Sequence, residues 1–304
     1  MATSIPLQGA EDFVQVPVDV APAKPRKWRK RPQISRFTLL CLGAIIFLFP
    51  FYYMIVGSFQ TEADKSVKGI IPDPSNMTTA NYTQINEAID VPVGLMNSAI
   101  FTIGVLILTL VFGLLAGWSL AQLHFRGKGA IFSAMLLVLI VPFQLLMIPL
   151  FVLIVRVYGL GDSYWGMILP FAINSTAVFI FRQFFLQLPK ELFESARIDG
   201  AGELRTLLQI AIPLAKPAIL TAVLITFIGP WNEFLWPFLV TKQLEMQPFA
   251  VSLANYMQNL AGRAANPDGS VLAGGFILAV PAVVLFLIFQ KYFTSSNIGS
   301  AIKE

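Results

Sequence analysis

Polar and apolar residues in this chain do not alternate. They separate into long blocks. Six apolar blocks stand out, at about 38–59, 97–122, 130–156, 164–186, 217–240 and 271–291. A surface helix of a soluble protein keeps one polar side for water. These blocks are apolar all round, so their surroundings must be lipid or each other. Each is long enough to cross about 30 Å of hydrocarbon at about 1.5 Å per residue. The pattern predicts an all-α, polytopic membrane protein with six transmembrane helices. Between the blocks lie three long polar connections, at 60–96, 187–216 and 241–270.

Composition agrees with the pattern. Of 304 residues, 56% are hydrophobic and 12% charged, about half the charge of an ordinary soluble domain. Mean hydropathy is +0.70. Residues 1–37 are polar and read as a disordered basic cytoplasmic tail. Their basic run, Lys24 to Arg36, is of a kind that can bind nucleic acid. Directly before an apolar block it reads instead as a cytoplasmic flank attracted to anionic membrane lipid. The following block is too long for a secretory signal and lacks a small-residue cleavage pattern.

Orientation follows from Lys and Arg. If both termini are cytoplasmic, the outer side holds Lys65, Lys68, Arg156, Lys242 and Arg263, and the inner side holds the rest of the 21 basic residues. That bias predicts both termini inside, and six crossings return the chain to its starting side.

Some chemistry is excluded. Cys41 and His124 are the single cysteine and histidine, so neither an intrachain disulfide nor a metal cluster is expected. Glu233 is the one acidic residue deep in a block, with no paired carboxylate or His base beside it. That speaks against a membrane-embedded enzyme, and no filter-like loop suggests a channel. The P-loop pattern G-x-x-x-x-G-K-[ST] is missing: before Gly127-Lys128, Gln122 stands where its first Gly belongs. No catalytic residue and no cofactor are expected in this chain.

The connection 187–216 is more specific. Pro189 suits the first turn of a helix, with Glu191 and Glu194 near its positive end. Leu192, Phe193, Ala196 and Ile198 supply an apolar side, and Gly200 can end the helix. A second short helix is expected at about 203–211, stopping near Pro213. The residues alone allow two readings, a docking element for a partner or a helix lying on the membrane.

Within this connection, Glu194-Ser195-Ala196, then three residues, Gly200, nine residues, and Ile210-Ala211-Ile212-Pro213 resemble the EAA loop of ABC importer permeases. Ser195 stands for an Ala of that pattern and Ile212 for a Leu. Leu188 to Glu191 and Arg197 to Ala201 resemble the multiple-sugar branch, and the likeness is to the smaller permease subunit of maltose-type importers. It covers residues 38–304, the expected permease domain of type I importer fold.

The resemblance implies a coupling helix. Glu191, Glu194, Ser195, Ala196, Asp199, Gly200, Ile210 and Pro213 would dock on a separate ABC ATPase dimer, which would hold ATP and Mg. It also implies a second permease in a heterodimer, an extracytoplasmic solute-binding protein, a bacterial inner-membrane location and a sugar as solute. A glycerophosphate-like solute is the alternative.

Two further sets of residues are candidates. Trp231, Asn232 and Glu233 in the fifth block would face a solute pathway, since a carboxylate in hydrocarbon needs a wet or polar neighbour. Asn174 and Asn97 are weaker candidates for the same role, since small polar residues in spans also serve as interhelical packing. In the outer connection, Asn255, Tyr256, Gln258 and Asn259 form a polar and aromatic stretch suited to the binding protein.

Overall fold

A computed structural model describes residues 33–62, 71–259, 262 and 264–296, with side chains described for 36–290 of these. The tail at 1–32, and Lys65, Lys68, Arg263 and Lys303, lie outside the described residues. The chain divides into two units, residues 1–48 and 49–304. Residues 33–48 of the first are helical, and of these 36–48 are exposed apart from a half-buried Gly43.

Among the described residues fourteen α-helices follow in order. Helix α1 is Gln33–Ser58, α2 Ala80–Ile89, α3 Val91–Gln122, α4 Lys128–Val138, α5 Phe143–Phe151, α6 Tyr164–Ile168 and α7 Ser175–Gln187. Then come α8 Lys190–Ile198, α9 Glu203–Thr206, α10 Ile212–Leu214, α11 Lys216–Asn232, α12 Leu235–Val240, α13 Phe249–Asn259 and α14 Pro267–Ser296. Among the described residues β structure is confined to one isolated bridge, Gln60 to Met77, so the fold is all-α.

Three helices are long and apolar enough to cross a membrane unbroken: Arg36–Ser58, Val91–Gln122 and Pro267–Gln290. Three further bent pairs raise the number of spans to as many as six. The bends are where structure and sequence pattern part. Block 130–156 is two helices meeting at 97°, because the turn before Pro142 interrupts the helix and Pro142 starts the next one. Proline cannot donate to the preceding turn. Pro149 stays inside α5, and the chain widens directly after it into a π-turn, Val152–Val157. Block 164–186 bends by 46°, and α7 restarts with the Asn174 side chain accepting from the amides of Thr176 and Ala177. Block 217–240 breaks after Asn232, and the Glu233 carboxylate accepts from the Trp236 amide at the start of α12. A third bent pair, Glu203–Leu214 with Lys216–Asn232, meets at 79°. At Asn174 and at Glu233 a side chain supplies the acceptor that the restarting helix lacks, as a low-dielectric surrounding requires.

The largest core sits between α3 and α7. Gly113 and Gly117 let the two backbones close. A Cβ on Gly117 would lie 2.6 Å from the Phe181 Cβ and 3.0 Å from the Arg182 amide. Small residues at such crossings are the usual means of close helix approach in membranes. Trp118, Phe181, Phe185, Leu207, Ala211, Ala215, Ala218 and Ala222 complete this core. A second core joins α3 to α5, α6 and α12 through Phe101, Val105, Met167 and Trp236. A third joins α2, α3 and α13 through Ile85, Val91, Phe249, Leu253 and Tyr256.

Gly117→Leu should lower the stability of the purified full chain by about 1–3 kcal/mol, through overpacking. Gly129→Leu, on a helix where a Cβ meets nothing within 4 Å, serves as control. Thermal unfolding in detergent measures both. Equal midpoints would mean that α3 and α7 do not need the glycine.

Candidate functional site

The connection after α7 is built from its own caps. Pro189 precedes α8, whose first turn carries Glu191. At the far end Gly200 has φ +80°. The Gly200 amide donates to the Arg197 carbonyl at 3.1 Å, and the Ala201 amide to the Ala196 carbonyl at 2.9 Å. This pair of bonds is a Schellman ending, which puts a left-handed residue just past the helix and favours glycine. Arg197 then reaches across the turn to Glu203, Nη2 to Oε1 at 2.9 Å and Nε to the same oxygen at 3.0 Å. Both side chains are over 40% exposed, so this pair contributes less than about 1 kcal/mol and serves to hold α8 beside α9.

The second helix of the connection stops near Pro213, as expected, but runs three residues beyond 211 to Leu214. After α9 the chain widens into a π-turn, Leu207–Ala211, and continues as α10 with Pro213 in its first turn. The wider register spares the amide that proline lacks.

Two faces of α8 have different surroundings. Phe193 and Ala196 are buried. The Phe193 ring stands edge-on to Trp118 of α3 at 5.1 Å, and Trp118 stands edge-on to Phe185 of α7 at 5.5 Å. Such edge contacts add about 0.5–1.5 kcal/mol each beyond burial. Ile210 is half-buried against the same core. Glu191, Glu194, Ser195, Asp199, Gly200 and Pro213 are exposed, and a Cβ at Gly200 would meet nothing within 4 Å. Of the expected coupling residues, six therefore face outward, while Ala196 and Ile210 belong to the chain's own packing.

Ile198 is 85% exposed, and Leu192, Leu204 and Leu208 are exposed as well. The sequence reading grouped Ile198 with Phe193 on one apolar side. Five residues at 3.6 per turn separate them by about 140° around the helix, so the angular spacing already held the signal. The element presents an apolar, acid-flanked surface anchored to the membrane core by Phe193.

The expected pathway residues are dispersed. Asn97 is fully used. Its Nδ2 donates to the carbonyls of Glu245 and Gln247, and its Oδ1 accepts from the Tyr164 hydroxyl at 2.7 Å. It is buried and ties α3 to the outer connection, which corrects its reading as a pathway residue. Asn174 is the cap of α7. Trp231 is buried, donates Nε1 to the Leu278 carbonyl of α14 at 2.9 Å and stacks on Phe227, so it too is a packing residue. Asn232 is exposed, and its amide returns to the Ile228 carbonyl. Glu233 is half-buried at the α11–α12 break, with one oxygen on the Trp236 amide.

The outer connection is helical over α13. Tyr256 lies in the third core at 2% exposure, which corrects its reading as a surface contact: it falls on the face of α13 shared with Phe249 and Leu253. Asn255 donates to the Gln247 side chain at 2.9 Å. Gln258 and Asn259 are exposed.

The geometry defines a helical, multi-pass membrane protein that carries a short outward-facing helix pair between two spans. Residues 109–296 match the family model described as binding-protein-dependent transport system inner membrane component, and the chain belongs to that family. It is 32% identical to the arabinooligosaccharides transport system permease protein AraQ of Bacillus subtilis, over 90% of this chain and 99% of that one. It is 31% identical to the sn-glycerol-3-phosphate transport system permease protein UgpE of Agrobacterium fabrum, over 84% and 92%. A chain in the crystal structure of a bacterial ABC transporter involved in the import of the acidic polysaccharide alginate superposes with a TM-score of 0.76 at 25% identity, covering 86% of this chain and 96% of that one. The chain is thus an ABC-type transport permease of the inner membrane, with the type I importer fold.

Phe193→Ala should cost about 3–5 kcal/mol locally, since it empties a packed aromatic site, and should release α8 while α3 and α7 stay formed. Ile198→Asp, at an exposed position, should change stability by less than about 0.5 kcal/mol. Hydrogen exchange resolved to peptides checks both. Unchanged protection of residues 190–198 in Phe193→Ala would refute the anchoring role.

Proposed function

We propose that the chain is the smaller permease of a heterodimer that imports an oligosaccharide through the bacterial inner membrane, with both termini cytoplasmic. In this reading a second permease completes the pathway. A separate ABC ATPase dimer, holding ATP and Mg, docks at α8, and an extracytoplasmic binding protein delivers the solute. The observation that carries the proposal is the α8–α9 element. Ile198 and the open side of Gly200 face away from the chain, while Phe193 joins the helix to α3 and α7. Movement of a partner against α8 would therefore reach the membrane core directly.

The names of the relatives support the solute class, and they support two readings. AraQ favours a neutral oligosaccharide. UgpE, nearly as similar, favours sn-glycerol-3-phosphate. Uptake of labelled arabinooligosaccharide and of labelled glycerol-3-phosphate by cells with and without this gene separates them. The oligosaccharide reading fails if only the phosphate ester depends on the chain.

Coupling is tested at Gly200. Its φ of +80° strains most residues with a Cβ, asparagine least among them. Gly200→Asn should keep transport near normal. Gly200→Trp, which finds open space within the chain, should lower it about tenfold or more, equivalent to about 1.4 kcal/mol of lost docking. Normal transport by Gly200→Trp in the assembled complex would exclude a docking surface here. On the other side, a photo-crosslinker at Gln258 should label the binding protein and one at Tyr256 should not. Labelling from neither Gln258 nor Asn259 in any nucleotide state would remove α13 from the delivery route.

A further inference from the structure

We propose that the end of α3 and the start of α4 form a binding site for the phosphate of an anionic phospholipid, held by Lys128 and Arg182. Two cations converge on one helix end. Arg182 of α7 donates Nε to the Leu120 carbonyl at 3.2 Å. Lys128 donates Nζ to the carbonyls of Ala121 at 3.1 Å and Leu123 at 2.9 Å. The carbonyls come from one stretch at the α3 C-terminus, so the two side chains share its surface.

Among the described residues no carboxylate balances them. Neither Lys128 nor Arg182 forms an ion pair there, and the Arg197–Glu203 pair lies apart, between α8 and α9. A helix C-terminus offers about half a negative charge, which leaves the pair clearly positive. Arg126, two residues before Lys128 and exposed, adds to the field. Donor capacity is also left over. Arg182 uses only Nε in a hydrogen bond among the described residues, so both terminal nitrogens remain for a bidentate contact with phosphate. Lys128 keeps one N–H.

The guanidinium is held in place from the apolar side. Its carbon lies 3.9 Å above the centre of the Phe132 ring, and Phe132 stacks on Phe179. Phe179 and Ile131 are exposed, and in a membrane chain such side chains meet acyl tails. Phosphate-binding groups beside lipid-facing apolar residues match one molecule better than a free anion: a phospholipid with a net negative headgroup.

The test uses the full chain in nanodiscs of equal phosphatidylglycerol and phosphatidylcholine, followed by native mass spectrometry. The chain should retain phosphatidylglycerol in preference to phosphatidylcholine. Lys128→Gln with Arg182→Gln should weaken that retention about 30-fold, the loss of two basic contacts at a membrane surface. Lys128→Arg should keep it. The single change Lys128→Gln, expected to weaken retention about fivefold, decides the matter if the double variant does not fold. Equal retention of the two lipids, or retention unchanged in the variants, would show that the cations only cap α3 and would overturn the proposal. So would displacement of the lipid by millimolar inorganic phosphate, since the site would then read a free anion.

Discussion

The contact between α3 and α7 carries the rest of the molecule. It depends on the missing side chain of Gly117, which lets Phe181 and the Arg182 amide come within a distance that any Cβ would block. Once the two helices close there, Trp118 meets Phe185, and the same indole receives Phe193 from α8. Arg182 is carried to the end of α3, where it bonds the Leu120 carbonyl. The membrane core, the outward-facing helix pair and the basic cluster are thus consequences of one close approach. Lipid tails are as apolar as leucine, so packing of this kind, more than hydrophobic expulsion from water, holds membrane helices together.

A second constraint shapes the breaks. Hydrocarbon offers backbone groups no water, so an interrupted helix must find other partners. Asn174 and Glu233 supply side-chain acceptors to the new helix starts. The π-turns at Val152–Val157 and Leu207–Ala211 absorb the register change near Pro149 and Pro213. In this light Glu233 is first a cap. Its second oxygen, at a half-buried break between α11 and α12, is what remains for any solute.

Buried polar links fix the outer connection onto the span ends. Asn97 joins α3 to the carbonyls of Glu245 and Gln247, and Ser98 accepts from the Phe249 amide. Asn81 donates to the carbonyls of Ser58 and Gln60, and Asn266 also donates to the Gln60 carbonyl. Such fully satisfied amides are costly to disturb, because the alternative is an unpaired polar group in a buried place. The links of Asn97 and Ser98 fix the start of α13 to α3, and Gln258 and Asn259 lie exposed at its far end.

The class of the protein, its apolar segments and the turn at Gly200 were legible in the sequence, because each depends on a short stretch of chain and its solvent. Lipid demands long apolar runs, and a helix end in left-handed geometry demands glycine. The motif around Glu194 and Gly200 added the family. Burial was decided by the tertiary structure alone. The partners of Asn97 lie 148 and 150 residues away, beyond any local pattern, and they turn a pathway candidate into a structural link. Tyr256 packs inward with Ile85 of α2 and Val91 of α3, both far away in the chain. The Asn232-Glu233 pair interrupts an apolar block in the sequence, but that Glu233 caps a new helix there by accepting from the Trp236 amide is seen only in the structure. The helical spacing separates Phe193 from Ile198 around α8, but which of the two is anchored follows from where Trp118 stands, a fact set by the approach of α3 to α7.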